Sequence, residues 1–202
     1  MQADLDLCFK TVFALARDRS IKGNPVAENR AGIFALGILL GHHRFEELLG
    51  SVQVGRDNTA AQQALKRVTL RARADWTKHF CLSAAIALMS DKVVSDGAGL
   101  LKEELDAGAG GSGFSFADLL ADQAGTTFAA RVTRNEATAR AMQDRLANDF
   151  SVDDYFPHAD DLPEGLSDGE LQSKYGGVGG KGYNRIMEEI ERRIATCAAY
   201  QN

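Results

Sequence analysis

Apolar residues recur at three- and four-residue intervals through nearly the whole chain, which is the spacing of one face of an α-helix. The first segment shows the pattern at Leu5, Phe9, Val12, Phe13 and Ala16. No set of segments shows the alternation that a β-strand with one buried face requires. The sequence therefore predicts a mainly α fold, a single helical domain of about six to eight helices in which any sheet is small.

The chain of 202 residues changes in character near Phe150. Residues 1–150 carry most of the helical periodicity, with expected helices over 27–49 and 116–132 among them. The remainder, 151–202, begins with an acidic stretch that contains proline, and it ends with a glycine loop and a final helix. We expect a helical core domain over 1–150. An irregular acidic arm, attached through Tyr155 and Phe156, would lead to a C-terminal helix that packs on this core.

Charge and hydropathy bear on the partners and the location of the protein. The formal net charge is −5, so no basic surplus indicates binding to nucleic acid. The longest apolar run covers residues 31–41, whereas a membrane-spanning helix needs about 20 apolar residues. The N-terminal residues lack the positive start of a signal peptide. We expect no nucleic-acid partner, no membrane span and a cytoplasmic location, or an extracytoplasmic one if the chain is cut from a longer precursor.

The three cysteines, Cys8, Cys81 and Cys197, lie far apart in helix-like apolar surroundings. No Cys-x-x-Cys pair occurs, so neither a thiolate zinc site nor a redox pair is indicated. The general tendency of cysteine to be buried predicts free thiols in the core.

Two glycine-rich stretches match familiar motifs only formally. Gly177–Gly182 has the spacing of a dinucleotide-binding loop, but no strand precedes it and only a helix follows. That fingerprint requires a βαβ unit. The stretch Gly111–Ser112–Gly113 likewise lacks the flanks of a serine nucleophile elbow. Neither stretch predicts a nucleotide or hydrolase site.

Three expected helices each carry a pair of potential ligands about one turn apart: Asp75 and His79, Glu103 and Asp106, and Asp118 and Asp122. Residues three or four positions apart lie on one face of a helix. Carboxylates and imidazoles on facing helices hold metals in helical bundles. All six residues are therefore candidate ligands of a divalent metal. The same groups could form an acid–base site, with His79, Glu103 and Asp118 as catalytic residues and Asp75 orienting His79.

A structural interpretation of the same residues stays open. Ser115 has the position of a helix N-cap, with Asp118 as the third helical residue and Phe114 and Leu119 placed as a hydrophobic staple. The glycine run before Ser115 would end one helix and turn the chain. The charged residues around Glu103 could form a solvated face. Under this interpretation the polar residues fix the helix arrangement and carry no chemistry.

The segments DWTKHF, GLLKEELD and GGSGFSFADLLADQAG resemble a local pattern of VanZ-like proteins and of certain predicted lipoproteins of unknown function. The pattern reads Asp-Lys-x-x-His-Phe, Lys-Glu-x-x-Asp, and Ser-x-x-Asp-Leu with a later Gly. The chain departs from it at Trp76, where the pattern has Lys. The matching residues are Asp75, His79, Phe80, Lys102, Glu103, Asp106, Ser115, Asp118, Leu119 and Gly125. The whole chain is also similar to uncharacterised proteobacterial proteins. The resemblance implies a polar site in a bacterial protein and supplies no reaction.

Two functions follow as hypotheses. The first is a bacterial protein with a His/carboxylate site at the joint of three helices, acting on a small or cell-envelope substrate by hydrolysis; its cofactor is unknown, and a divalent metal is the candidate. The second is a non-enzymatic interaction or assembly module with a protein partner, in which these residues form a structural polar network.

Overall fold

The computed structural model describes residues 3–42, 45, 59–89, 113–148 and 150–201. Within these residues the chain is mainly α-helical, as the periodicity predicted. Nine α-helices lie in this described part: α1 (Leu5–Arg19), α2 (Pro25–Leu36), α3 (Thr59–Leu65), α4 (Ala74–Ile86), α5 (Phe116–Val132), α6 (Glu136–Ala147), α7 (Val152–Tyr155), α8 (Asp168–Tyr175) and α9 (Lys181–Thr196). Two-residue strands, β1 (Ala3–Asp4) and β2 (Val68–Thr69), pair in parallel with Ala3 opposite Val68.

The second helix is shorter than its apolar pattern predicted. After Leu36 the chain continues as a π-helical turn over Gly37–Gly41, and His42 has an extended backbone. The expected helix over 27–49 is thus interrupted at His42. At this point the chain packs closely against α4, since a Cβ on Gly37 would lie 2.6 Å from the Cβ of Ala85. Sharp changes in the direction of a helix commonly occur at π-helical turns of this kind.

Helices α4 and α5 form the centre of the fold. Every residue of α4 from Trp76 to Ile86 except Lys78 is buried, so this helix is covered on nearly all sides. The two helices approach each other closely at Gly125, where a Cβ would overlap the backbone carbonyl of Phe80. The absence of a side chain at Gly125 therefore allows the contact between α4 and α5.

Aromatic side chains fill the core between α1, α4 and α5. The rings of Phe9 and Phe128 stack with centroids 4.8 Å apart, and Phe80 lies 5.6 Å from Phe128. Tyr155 and Phe156 are fully buried in the same cluster. The segment that follows the first 150 residues thus enters the core at Tyr155 and Phe156, the two residues expected to attach it.

The acidic arm has an irregular backbone between Phe156 and Ser167 and contacts two helices. The Phe116 amide donates to the Pro163 carbonyl (2.9 Å), and Phe114 and Leu166 exchange two backbone hydrogen bonds. Arg193 on α9 binds the carboxylate of Asp161 through two nitrogens, at 2.6 and 2.7 Å. The arm therefore lies along the beginning of α5. The short helices α7 and α8 precede and follow it, which the sequence analysis did not anticipate.

Two further expectations concerned a membrane-spanning helix and the burial of the three cysteines. None of the helices in the described residues is long and apolar enough to cross a membrane. Cys81 and Cys197 are buried, Cys8 is half-buried, and all three are free thiols.

Candidate functional site

His79 lies between two carboxylates at the contact of α4 and α5. Its side chain is 6% exposed, with Nδ1 3.1 Å from Asp122 Oδ1 and Nε2 3.8 Å from Asp118 Oδ2. Asp118 and Asp122 are one turn apart on α5 and so point to the same side of that helix. One member of the first predicted pair therefore meets both members of the third.

Local sequence explains why these side chains converge. Ser115 caps α5, its hydroxyl oxygen accepting from the Asp118 amide at 3.0 Å, as the sequence analysis predicted. Asp122 follows one turn later, and Gly125 then allows α4 to approach at Phe80, the neighbour of His79. The Ser115 cap fixes where α5 begins, and Gly125 allows α5 to lie close to the helix that carries His79.

Ser83 is a member of the site that the sequence analysis missed. Its hydroxyl donates to Asp122 Oδ1 at 2.6 Å, the oxygen that also faces His79 Nδ1. Ser83 is 4% exposed and lies one turn after His79 on α4. Its position in the sequence could have indicated this role, because a lone serine four residues after His79 in an apolar helix lies on the same face as the histidine.

The hydrogen bonds to Asp122 select a tautomer of His79. A carboxylate only accepts, so Nδ1 carries a proton toward Asp122. In the neutral ring the remaining lone pair then belongs to Nε2, the nitrogen on the side of Asp118. The distance of 3.8 Å from Nε2 to Asp118 Oδ2 is longer than a hydrogen bond. A water molecule that hydrogen-bonds to both atoms can bridge such a distance.

Asp118 is the electrostatically unusual group of the site. Its side chain is 19% exposed, yet Oδ1 is buried and accepts no hydrogen bond from the described residues. Burial raises the pKa of Asp118 above its ordinary value. The charge of His79 opposes this rise, while the negative charges of Asp75 and Glu164 add to it. Asp118 is therefore a carboxyl that retains its proton to a higher pH than a surface aspartate does.

Asp75 has a different partner from the one expected. Arg73 binds both of its oxygens, with Nε 2.9 Å from Oδ1 and Nη2 2.6 Å from Oδ2. Burial raises the pKa of Asp75, but the hydrogen bonds and charge of Arg73 outweigh this and leave it below the ordinary value. The orienting contact to His79 that was expected from Asp75 is made by Asp122, which corrects that assignment.

Arg73 also links the site to the arm. Its two terminal nitrogens lie 3.3 and 3.1 Å from the carboxylate oxygens of Glu164, and its guanidinium lies over the ring of Trp76, 4.5 Å from the centroid. Glu164 is thereby held close enough to Asp118 to affect its pKa.

The predicted metal ligands are only partly brought together. Glu103 and Asp106 lie outside the described residues. Within the described ranges, no group of three or more His, Cys, Asp and Glu residues is arranged to hold a metal ion. His79 Nδ1 instead lies within hydrogen-bond distance of Asp122 Oδ1, at 3.1 Å. The six-residue metal site stays a prediction, and it requires ligands from Glu103 or Asp106.

No protein-family model, curated protein or solved structure matches the chain.

Proposed function

We propose that this protein is an enzyme that uses His79 and Asp118 to move protons during the hydrolysis of a small or envelope-related substrate. Asp122 would orient His79, and Nε2 would act as the general base. The observation that carries the proposal is the buried Asp118 Oδ1, which has no hydrogen-bond donor among the described residues.

An unsatisfied carboxylate oxygen is costly for a folded protein. Leaving a buried acceptor without a donor costs about 1–3 kcal/mol, and more when the group is charged. A polar network that serves only stability should satisfy its members. Perturbed titratable groups of this kind cluster at functional sites. Asp118 therefore supports a role in binding or catalysis better than a purely structural role.

The two groups have complementary chemistry for hydrolysis. Nε2 of His79 would take a proton from water, whose oxygen then forms a bond to the electrophilic atom of the substrate. Protonated Asp118 would give its proton to the leaving group as the old bond breaks, and the proton on His79 would return to Asp118 to close the cycle. The raised pKa of Asp118 favours the protonated form that this step needs.

The substrate class and the cofactor are proposed on other grounds than the acid–base pair. An envelope-related substrate is supported by the resemblance to VanZ-like proteins and predicted lipoproteins alone. A divalent metal would need Glu103 or Asp106 as ligands besides His79 or Asp118. Elemental mass spectrometry of untagged protein and of His79→Ala tests this part. A stoichiometric metal that the variant loses would support a metal-dependent form of the reaction.

A structural polar network is the second candidate, and a specific observation favours it. Ser83 and His79 on α4 both contact Asp122 Oδ1 on α5, in a largely buried set of hydrogen bonds that joins the two helices. Such networks can fix a unique helix arrangement. The protein would then be an interaction or assembly module with a protein partner.

Asp118→Asn separates the two candidates. In an enzyme, we expect the variant to lose hydrolysis of model esters, amides, glycosides and phosphates, and to gain about 0.5–2 kcal/mol in the free energy of unfolding, because a strained functional group is removed. In a structural network, the variant should lose stability, since His79 loses a charged neighbour. Asp144→Asn is the matched control because that side chain is 68% exposed. Wild-type protein that is inactive on every substrate class, together with a destabilised Asp118→Asn, would overturn the enzymatic proposal.

A further inference from the structure

We infer that Ser83 is a positioning residue of the site: its hydroxyl fixes the Asp122 carboxylate and thereby selects the His79 tautomer that presents the Nε2 lone pair toward Asp118. The inference rests on the proposed function, because it assigns the control of the general base.

The direction of the Ser83 hydrogen bond is the first argument. Serine and threonine inside a helix commonly return a hydrogen bond to the carbonyl four residues earlier. Thr77 on the same helix does so, donating to the Arg73 carbonyl at 3.1 Å, and Ser20 donates to the Ala16 carbonyl at 2.6 Å. Ser83 instead donates across the helix contact to Asp122 at 2.6 Å. Its hydroxyl is therefore committed to the site.

The shared acceptor is the second argument. Oδ1 of Asp122 faces both the Ser83 hydroxyl and His79 Nδ1. Two donors on one oxygen restrict rotation of the carboxylate. An Asp122 oxygen fixed in this position is the acceptor that keeps the proton of neutral His79 on Nδ1.

Loss of the hydroxyl should release this arrangement. The Asp122 side chain is 18% exposed, so it can turn toward water once Ser83 no longer holds it. Nδ1 would then lose its fixed acceptor, and the proton could reside on Nε2. A ring with its proton on Nε2 cannot accept a proton on the Asp118 side.

The experiment reads the His79 tautomer directly and needs no substrate. Ring nitrogen–proton correlations are recorded by NMR on protein with isotope-labelled histidine, from about pH 5 to about pH 10, so that the neutral ring is sampled. The His79 signals are identified by their loss in His79→Gln. The samples are the wild type, Ser83→Ala, Ser83→Thr and Ser20→Ala. Ser20 is the matched control, since it is a buried serine at a distant helix contact, 1% exposed.

We expect neutral His79 to carry its proton on Nδ1 in the wild type. In Ser83→Ala the ratio of the Nδ1–H to the Nε2–H form should fall about threefold or more, as expected when a tautomer is set by its hydrogen-bond partner. Ser83→Thr retains a hydroxyl and should restore the ratio. Ser20→Ala should lower stability and leave the His79 signals unchanged.

The two proposals fail in different ways. An Nδ1–H to Nε2–H ratio in Ser83→Ala equal to that of the wild type would overturn the role of Ser83 and leave the proposed function standing. A wild-type ring that carries its proton on Nε2, or that stays doubly protonated up to about pH 10, would overturn the proposed function itself, because Nε2 could not act as a base.

Discussion

Gly125 on α5 lies directly against the backbone carbonyl of Phe80 on α4, with no space for a Cβ between them. His79 immediately precedes Phe80, and Asp122 lies three residues before Gly125. The glycine therefore sets the separation between the helices that carry the candidate site.

Gly125→Ala should destabilise the protein by about 1–3 kcal/mol, because the added methyl group forces two packed helices apart. Urea denaturation measures the change. Gly169→Ala is the control with the opposite sign: no heavy atom of the described residues lies within 4 Å of a Cβ there. At such a site alanine stabilises by about 0.4–1 kcal/mol. Equal stability of Gly125→Ala and the wild type would contradict the close contact.

The raised pKa of Asp118 makes stability depend on pH with a definite sign. A carboxyl whose pKa is higher in the folded than in the unfolded chain favours folding while it is protonated, and this advantage is lost as pH rises through the folded pKa. The wild type should therefore lose stability relative to Asp118→Asn as pH rises above the ordinary value of 3.8 toward neutrality. Urea titrations of both proteins across this range measure the difference. A difference in the free energy of unfolding that is constant with pH would argue against a perturbed Asp118.

The helix α5 shows what local sequence predicts well. Its bounds and its Ser115 cap were expected, because capping depends on residues within one turn of the helix start. The end of α2 was not predicted; there, at Gly37, the chain packs against α4, a helix distant in sequence. Signals from neighbouring residues thus predicted the bounds of α5. They failed for the end of α2, where the chain packs against a helix that is distant in sequence.

The candidate site divides in the same way. Helical spacing predicted that His79 could meet Asp118 and Asp122, because each pair shares a face. The exchange of roles between Asp75 and Asp122 could not be predicted, since it depends on the relative rotation of α4 and α5 and on competition from Arg73. Ser83 was predictable in principle from its spacing to His79, but not its hydrogen-bond partner.

Tyr155 should anchor the arm to the first helix through Asp6. Its hydroxyl donates to Asp6 Oδ1 at 2.7 Å, and the Val152 amide donates to Oδ2 at 3.0 Å. Tyr155→Phe removes one donor from a carboxylate that is partly buried, so we expect a loss of about 1–3 kcal/mol in the free energy of unfolding.

Tyr183→Phe is the control for that loss, because the Tyr183 hydroxyl makes no hydrogen bond with the described residues although its ring packs on Phe116, with centroids 5.5 Å apart. Both variants are compared by urea denaturation at neutral pH. Similar losses in the two variants would contradict a specific contribution of the bond to Asp6.

Glu164 should tune the acidity of Asp118 from the arm. Its negative charge contributes to the raised pKa of Asp118, while Arg73 holds it in place. Glu164→Gln removes the charge and keeps the shape of the side chain, so the pKa of Asp118 should fall toward its ordinary value. Carbon-detected NMR titration of the aspartate carboxyl groups measures it, with Asp144→Asn as a charge-matched control.

The direction of the Glu164→Gln effect is set by simple electrostatics. A nearby negative charge disfavours ionisation of a carboxyl, so its removal favours the ionised form. The Arg73–Glu164 pair is partly exposed, with side chains 38% and 33% exposed, and salt should screen it. Added salt should therefore reduce the difference in the Asp118 pKa between wild type and Glu164→Gln. An Asp118 pKa that is unchanged or higher in the variant at low salt would show that the arm does not act on the site through charge.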